Sequence, residues 1–413
     1  MDFTKKRWIT LAACCLINLC IGSLYAWSVF ATPLAEHLSG LTGTQITSGT
    51  LAIVFTLANA VGPITMISGG FITNKLGPQR VILIGGVLYG VGMFLSGYAT
   101  SRGMLLVTYG LCCGLGLGLV YGCTVGNVVK SFPDKRGLVG GLSTASYGLS
   151  SVIIPPIANA LIHASGVTGA FRVFGIVFLV VIVAASFLVL PTPANFVPAG
   201  WKPAAAGGPK RPDKNWKQML ADPVFYLMIV MMTCGAVAGM MNISQARAIA
   251  QNMFSMSDAA AATVVSVLAL FNVSGRILAG TASDKLGRIP TLTCSFALSI
   301  VGLALMSFSA SGGVVLFYIG IALVGICFGA LMGIFPGFTS EQFGLKYNNI
   351  NYGIMFIGFA FAGYIGPVVM SSIYASSGVY TGAFLFASAL NVVGLALTIV
   401  WRVFVDKSAK KKH

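Results

Sequence analysis

Apolar residues run along this chain in long blocks broken by short polar stretches, with no sustained alternation of period two. Twelve blocks of spanning length can be marked off, at 8–30, 47–72, 80–99, 103–130, 137–163, 170–190, 223–246, 259–282, 289–309, 313–340, 350–376 and 380–403. A helix needs roughly 20 apolar residues to cross the hydrocarbon core, and each block reaches that length. Strands of a membrane barrel would alternate over roughly ten positions, so the pattern excludes them. The first block follows Lys5, Lys6 and Arg7, as a signal peptide would, but it continues to Pro33. That is too long for a cleaved apolar region, and a retained first helix is predicted. The pattern predicts an all-α membrane protein of twelve transmembrane helices.

Composition agrees. Of 413 residues, 56% are hydrophobic and 8% are charged, against roughly 25% charged in soluble domains. A disordered tail, a collagen and a small disulfide scaffold are excluded by the same figures. The net charge of +16 raises nucleic acid as a partner until its placement is followed. Twenty-one of the 25 basic residues fall on one side of the predicted spans, in short loops and tails from Lys5 to Lys412. The other side holds Arg102, Arg172 and Arg247, and Arg276 lies inside a span. This asymmetry predicts that both termini are cytoplasmic. The cations are then an orientation signal that also meets anionic lipid headgroups. Being scattered over loops, they do not form a nucleic-acid surface.

The nine cysteines all fall in apolar blocks. An odd number there implies neither disulfides nor a zinc site. His37, His163 and His413 build no metal site and no catalytic triad. No cofactor is called for, and nothing reads as an enzyme. Gly110, Gly114, Gly118 and Gly122 recur every fourth residue, which predicts one bare helix face for close packing rather than a phosphate loop.

Residues 191–222 form the longest loop and carry a run of prolines from Pro191 to Pro212. They divide an N-terminal six-helix bundle, 1–190, from a C-terminal one, 223–413. The halves echo each other. Gly70, Asn74, Lys75 and Gly77 match Gly280, Asp284, Lys285 and Gly287 at an offset of 210, and Phe132 matches Phe343 at 211. Gly141 and Pro155 match Gly353 and Pro367 at 212. Such a repeat predicts two pseudo-symmetric bundles working by alternating access. The six-plus-six plan, with a G-x-x-x-D-K-x-G-R element from Gly280 to Arg288, resembles the major facilitator superfamily. The first copy departs from it, with Asn74 for the acid and Pro78 for the basic residue. More narrowly, the Tyr25-Ala-Trp27 and Val120-Tyr121-Gly122 runs are similar to the oxalate/formate antiporter family. The same holds for Phe132 to Gly137, Met219-Leu220 with Pro223, and Asn351-Tyr-Gly353. The chain looks like a bacterial homologue of the animal proton-coupled monocarboxylate transporters. That resemblance implies a multi-pass protein of the bacterial inner membrane.

Arg276 is the one charge near the middle of a span. A guanidinium does not lose its proton in a protein, so it needs a partner or a wet cavity. None of the nine acids lies mid-span. The partner that fits is an anion from solution, and arginine's planar fork suits a carboxylate. A structural arginine at a helix–helix contact, bonded to carbonyls, is the plainer alternative. Asn272 lies one turn earlier on the same face, placed to bond substrate, to hold the guanidinium, or to make an ordinary interhelical bond. One cation with one monocarboxylate makes a neutral pair, whereas a dianion leaves an uncompensated charge in low dielectric. Tyr25 and Tyr121, deep in their spans, and Asn59 in the second span are candidate lining residues.

The resemblance adds further expectations. The animal transporters have an aspartate at the position of Asn272, linked to proton coupling, which this chain lacks. Oxalate carriers place a lysine eight residues after the Asn of the Asn-Tyr-Gly motif, where this chain has Phe359. Phe356, Met332 and Phe328 fall where the family lines its cavity with larger aromatics, and Leu24 replaces a polar residue beside Tyr25. The expected site is half cationic and half apolar. The expected function is secondary transport of a small monocarboxylate such as lactate or pyruvate together with a proton. Carboxylate exchange of the oxalate/formate kind is the alternative.

Overall fold

The structure is a computed structural model that describes residues 3–193, 196–201 and 213–406. Among these residues it contains helices and no strands. In chain order they are α1 (Phe3–Ile21), a 3-10 turn (Gly22–Ala26), α2 (Trp27–Thr42), α3 (Ser48–Leu76) and α4 (Pro78–Ser96). Next, α5 (Arg102–Leu105) runs through a π-helical stretch (Leu106–Cys113) into α6 (Gly114–Ser131), followed by α7 (Arg136–Ser186) and α8 (Trp216–Leu220). The remaining helices are α9 (Pro223–Phe254), α10 (Asp258–Leu286), α11 (Arg288–Gly312), α12 (Val314–Phe343), α13 (Asn348–Met355), α14 (Ile357–Ser377) and α15 (Thr381–Val400). Lys202, Lys210, Arg211, Lys407, Lys410, Lys411 and Lys412, with Pro203, Pro209 and Pro212, lie outside the described residues.

Among the described residues, eleven helical stretches are long and apolar enough to cross a membrane. One of them, α7, has 51 residues and holds both the fifth and the sixth apolar block. It breaks at Gly166, whose φ of 72° lies in the left-handed region that glycine tolerates. The first block runs further than its hydropathy foretold, continuing through α2 to Thr42 with Pro33 inside the helix. Some helix starts are capped by their own side chains. Thr47 and Thr50 form a reciprocal capping box on α3, and the Asp222 side chain accepts from Val224 N–H with Pro223 at the first helical position of α9. Large apolar side chains such as Ile64, Val180, Phe187 and Phe308 are exposed. That exposure suits lipid, where every backbone polar group must be satisfied within a helix.

The chain clusters into two units. Unit 1 comprises Met1–Pro133, Ser146–Gly200 and Tyr347–Ile354. Here α6 packs against α3 and α4. The glycine stripe of the α6 span is what allows it. A Cβ on Gly114 would lie 2.6 Å from the Ala58 carbonyl oxygen, and one on Gly118 2.1 Å from that of Gly62. The two backbones therefore touch directly. Asn18 and Thr124, both fully buried, join α1 to α6 by a 2.7 Å hydrogen bond. The Arg7 guanidinium lies 4.3 Å from the centre of the Phe132 ring and donates to the Ser131 carbonyl.

Unit 2 comprises Asp134–Ala145, Trp201–Lys346 and Met355–His413. In it α10 and α11 pack on α12, while α9 packs on α14 and α15. The α10–α11 turn is built around Gly287, at φ 92° and ψ 159°. Its counterpart Gly77, between α3 and α4, has φ 79° and ψ 164°. Both turns thus use a backbone conformation that glycine permits, at the two ends of the 210-residue offset. The second is built into a network of ion pairs. Arg288 donates to Asp284 at 2.8 Å and to Glu341 at 2.5 Å, and also to the Ser283 hydroxyl. Asp284 in turn accepts from the N–H groups of Gly137 and Leu138, at 2.8 and 2.9 Å, and so caps the start of α7. Asn74, in the matching place, is exposed.

Candidate functional site

Arg276 sits on α10 inside unit 2 and is only 2% exposed. Three glycines bring the neighbouring backbones down on it. A Cβ on Gly329 would lie 2.0 Å from the Asn272 carbonyl oxygen, and one on Gly333 2.2 Å from that of Arg276. From the start of α7, a Cβ on Gly141 would lie 2.3 Å from the same Arg276 oxygen. With no side chains between the helices, the guanidinium is the bulkiest group at this crossing. Its Nε donates to Asn272 Oδ1 at 3.1 Å and its Nη1 to the Thr144 carbonyl at 2.5 Å. Both acceptors are neutral. They orient the cation and lower its desolvation cost, yet leave its charge uncompensated.

The expected role of Asn272 as the residue that holds the guanidinium is the one its geometry supports. The carbonyl bond is also what a purely structural arginine would make. Elsewhere in unit 2, Phe328 of α12 stacks on Phe359 at 6.0 Å between ring centres, and Phe359 stacks on Phe356 at 4.5 Å. Met332 and Phe328 are 1% and 2% exposed. Phe328 is seated over Gly239 of α9, where a Cβ would lie 2.1 Å from its ring. Unit 2 therefore holds the buried Arg276 on α10 and, on α12 and at the start of α14, a stacked aromatic group.

In unit 1 the structure joins Tyr25 and Tyr121 through a third tyrosine. The Tyr147 ring lies 5.1 Å from that of Tyr25 and 5.0 Å from that of Tyr121, within the range of favourable edge and tilted aromatic pairs. Leu24, next to Tyr25 in the 3-10 turn, is fully buried. That turn fits because Gly22 leaves room for α7, where a Cβ would lie 2.3 Å from the Tyr147 carbonyl oxygen. Asn59 is not part of this group. It is exposed, and its amide donates to the Phe55 carbonyl of its own helix.

Two residues escaped the sequence reading. Tyr147 meets the same criterion as Tyr25 and Tyr121, a tyrosine deep in a span. Thr144 contributes a main-chain oxygen, for which no side-chain signal exists. They lie three residues apart on α7, one in each unit.

The sequence matches the Major Facilitator Superfamily over residues 12–280 and 233–413. The chain belongs to this family. It is a multi-pass integral membrane transporter and not an enzyme. It is 30% identical to the "Uncharacterized MFS-type transporter YhjX" of Escherichia coli, over 87% of this chain and 86% of that one. It is 27% identical to the oxalate:formate antiporter of Oxalobacter formigenes, over 95% of this chain and 90% of that one. Monocarboxylate transporter 12-B of Danio rerio is 23% identical, over 95% and 86% of the two chains. Among solved structures, the transporter FucP in its outward conformation superposes with a TM-score of 0.70 at 15% identity, covering 96% of this chain and 99% of its own. That likeness establishes the all-helical fold.

Proposed function

We propose that this transporter carries small monocarboxylates of the lactate and pyruvate kind, moving each with a proton by alternating access about Arg276. One observation carries the reading. A permanently charged guanidinium is buried at 2% exposure with two neutral acceptors, in a chain with no acid near the middle of any span. A substrate carboxylate supplies the missing charge and makes a pair that can cross a dry interior. The apolar stack of Phe328, Phe359 and Phe356 suits a short hydrocarbon tail, and the tyrosine group supplies hydroxyls toward a keto or hydroxy substituent. Similarity to an oxalate:formate antiporter and to a monocarboxylate transporter supports the carboxylate class. The phenylalanine at position 359 weighs against a dianion.

The proton rides on the substrate. Desolvation disfavours the free carboxylate form and raises the acid's pKa, so the acid carries its proton through the dry approach to the site; beside Arg276 the guanidinium favours the carboxylate, and the proton leaves it there. In this reading both termini and the 191–222 linker are cytoplasmic, and 1–190 and 223–413 are the two moving bundles. The membrane is the bacterial inner membrane, in keeping with the bacterial relatives, and the basic loops rest on anionic headgroups. Counterflow in proteoliposomes against a panel of small acids tests the substrate class. An imposed pH gradient tests the coupling. Uptake of labelled lactate only against a counter-anion, and never with the gradient alone, would establish exchange instead.

A further inference from the structure

Two short segments group with the unit built from the opposite half of the sequence. Asp134–Ala145 belongs to unit 2, and Tyr347–Ile354 belongs to unit 1. They are counterparts in the internal repeat, where Gly141 matches Gly353. Each contains a helix start, Arg136 in α7 and Asn348 in α13.

In unit 2 the segment is held by directed bonds. Asp284 takes the N–H groups of Gly137 and Leu138, and Arg276 takes the Thr144 carbonyl. In unit 1 the segment is closely packed. A Cβ on Gly70 would lie 2.8 Å from the Ile350 nitrogen, and one on Gly353 3.1 Å from the Ile67 nitrogen. Asn348 and Asn349 go into this contact at 1% and 2% exposure. The amide nitrogen and oxygen of both side chains have no hydrogen-bond partner there. The packing is too close to admit one beside Gly126, where a Cβ would lie 2.0 Å from Asn349 Oδ1. Asn74, which stands where the opposite unit has its capping acid, is exposed and neutral.

A buried amide without partners is disfavoured, and the same atoms bond water once they reach it. We propose that Asn348 and Asn349 form a release spring. They raise the free energy of the state in which Tyr347–Ile354 is packed into unit 1, and so set how often this segment comes out. The Asp134–Ala145 segment leaves only the Arg136 Nε without a partner among its described side-chain atoms, and its backbone is bonded at Gly137, Leu138 and Thr144. This inference is independent of the substrate assignment.

Hydrogen–deuterium exchange of the full chain in nanodiscs, without substrate, tests it. The double variant Asn348→Leu/Asn349→Leu keeps the branching of both side chains and removes their polar atoms. The amides of 347–354 are expected to exchange at least about tenfold more slowly than in the wild type, because the packed state no longer carries the unmade bonds. Those of 137–145 are expected to be unchanged, which also reports that the variant is folded. Exchange at 347–354 that is unchanged or faster would overturn the proposal, since the asparagines would then be neutral or holding the segment in place. The single variants Asn348→Leu and Asn349→Leu are each expected to show part of the slowing. If neither folds, the amides are needed to hold the segment, and the spring is equally refuted.

Discussion

The rings of Phe356 and Phe359 stack at 4.5 Å between centres with 25° between their planes, on the turn that leads into α14. Phe359 extends that contact to Phe328 of α12. In the reading proposed above, this apolar stack stands where a second cation would serve a doubly charged substrate.

Replacing Phe359 by Lys is expected to admit oxalate. A second cation removes the uncompensated charge that otherwise costs a dianion several kcal/mol in low dielectric. Counterflow of labelled oxalate should rise from background while monocarboxylate uptake falls. No gain in a folded, membrane-inserted variant would mean that position 359 does not meet the substrate.

Arg276→Ala is expected to abolish carboxylate uptake, and Arg276→Lys to leave only a small fraction. Truncating one partner of a buried charged pair costs about 2–5 kcal/mol, and an ammonium cannot reproduce the fork that reaches Asn272 and Thr144 together. Binding of lactate measured by calorimetry separates loss of affinity from loss of movement. Wild-type uptake by either variant would return Arg276 to a purely structural role.

Asn272→Asp puts an acid 3.1 Å from the guanidinium nitrogen that the amide oxygen now accepts from. The carboxylate would pair with Arg276 and compete with substrate. Protonation ends that competition, so uptake should become more steeply acid-dependent than in the wild type, rising as pH falls. Parallel pH profiles of the two proteins would count against the Arg276–Asn272 pair as the substrate's anchor.

Gly329→Ala tests the crossing itself. The added Cβ meets the Asn272 carbonyl oxygen at 2.0 Å, so α10 and α12 must move apart. Overpacking of this kind costs roughly 1–3 kcal/mol. A lowered Tm in detergent is expected, with uptake reduced because the Arg276 geometry shifts with the helix. Gly43→Ala is a control of the opposite sort, since nothing lies within 4 Å of a Cβ there and its cost is only that of a φ of 66°.

The membrane-spanning helices were legible because a run of twenty apolar residues has few other homes. Their ends were not. Hydropathy closes the first block near residue 30, whereas the helix goes on past Pro33 to Thr42; Pro33 lies inside α2, and membrane helices tolerate such a proline because the freed backbone groups are satisfied locally. Gly166 showed only as the gap between two apolar blocks, because a glycine alone does not disclose the sign of its φ. Arg276 and Asn272 stood out for being polar where their neighbours are not, and their contact followed from helical spacing. Tyr147 was as readable as Tyr25 and was passed over. That all three tyrosines meet depended on how α7 packs against the 3-10 turn, which lies in tertiary geometry and not in any local pattern.

The Thr144 oxygen that receives Arg276 belongs to the main chain, and every residue type carries the same oxygen. Side-chain scanning at 144 is therefore blind to this contact, and drift at that position leaves it intact. It yields only to a change in the backbone itself. An ester in place of the amide between Thr144 and Ala145 would weaken that oxygen as an acceptor while leaving every side chain as it is.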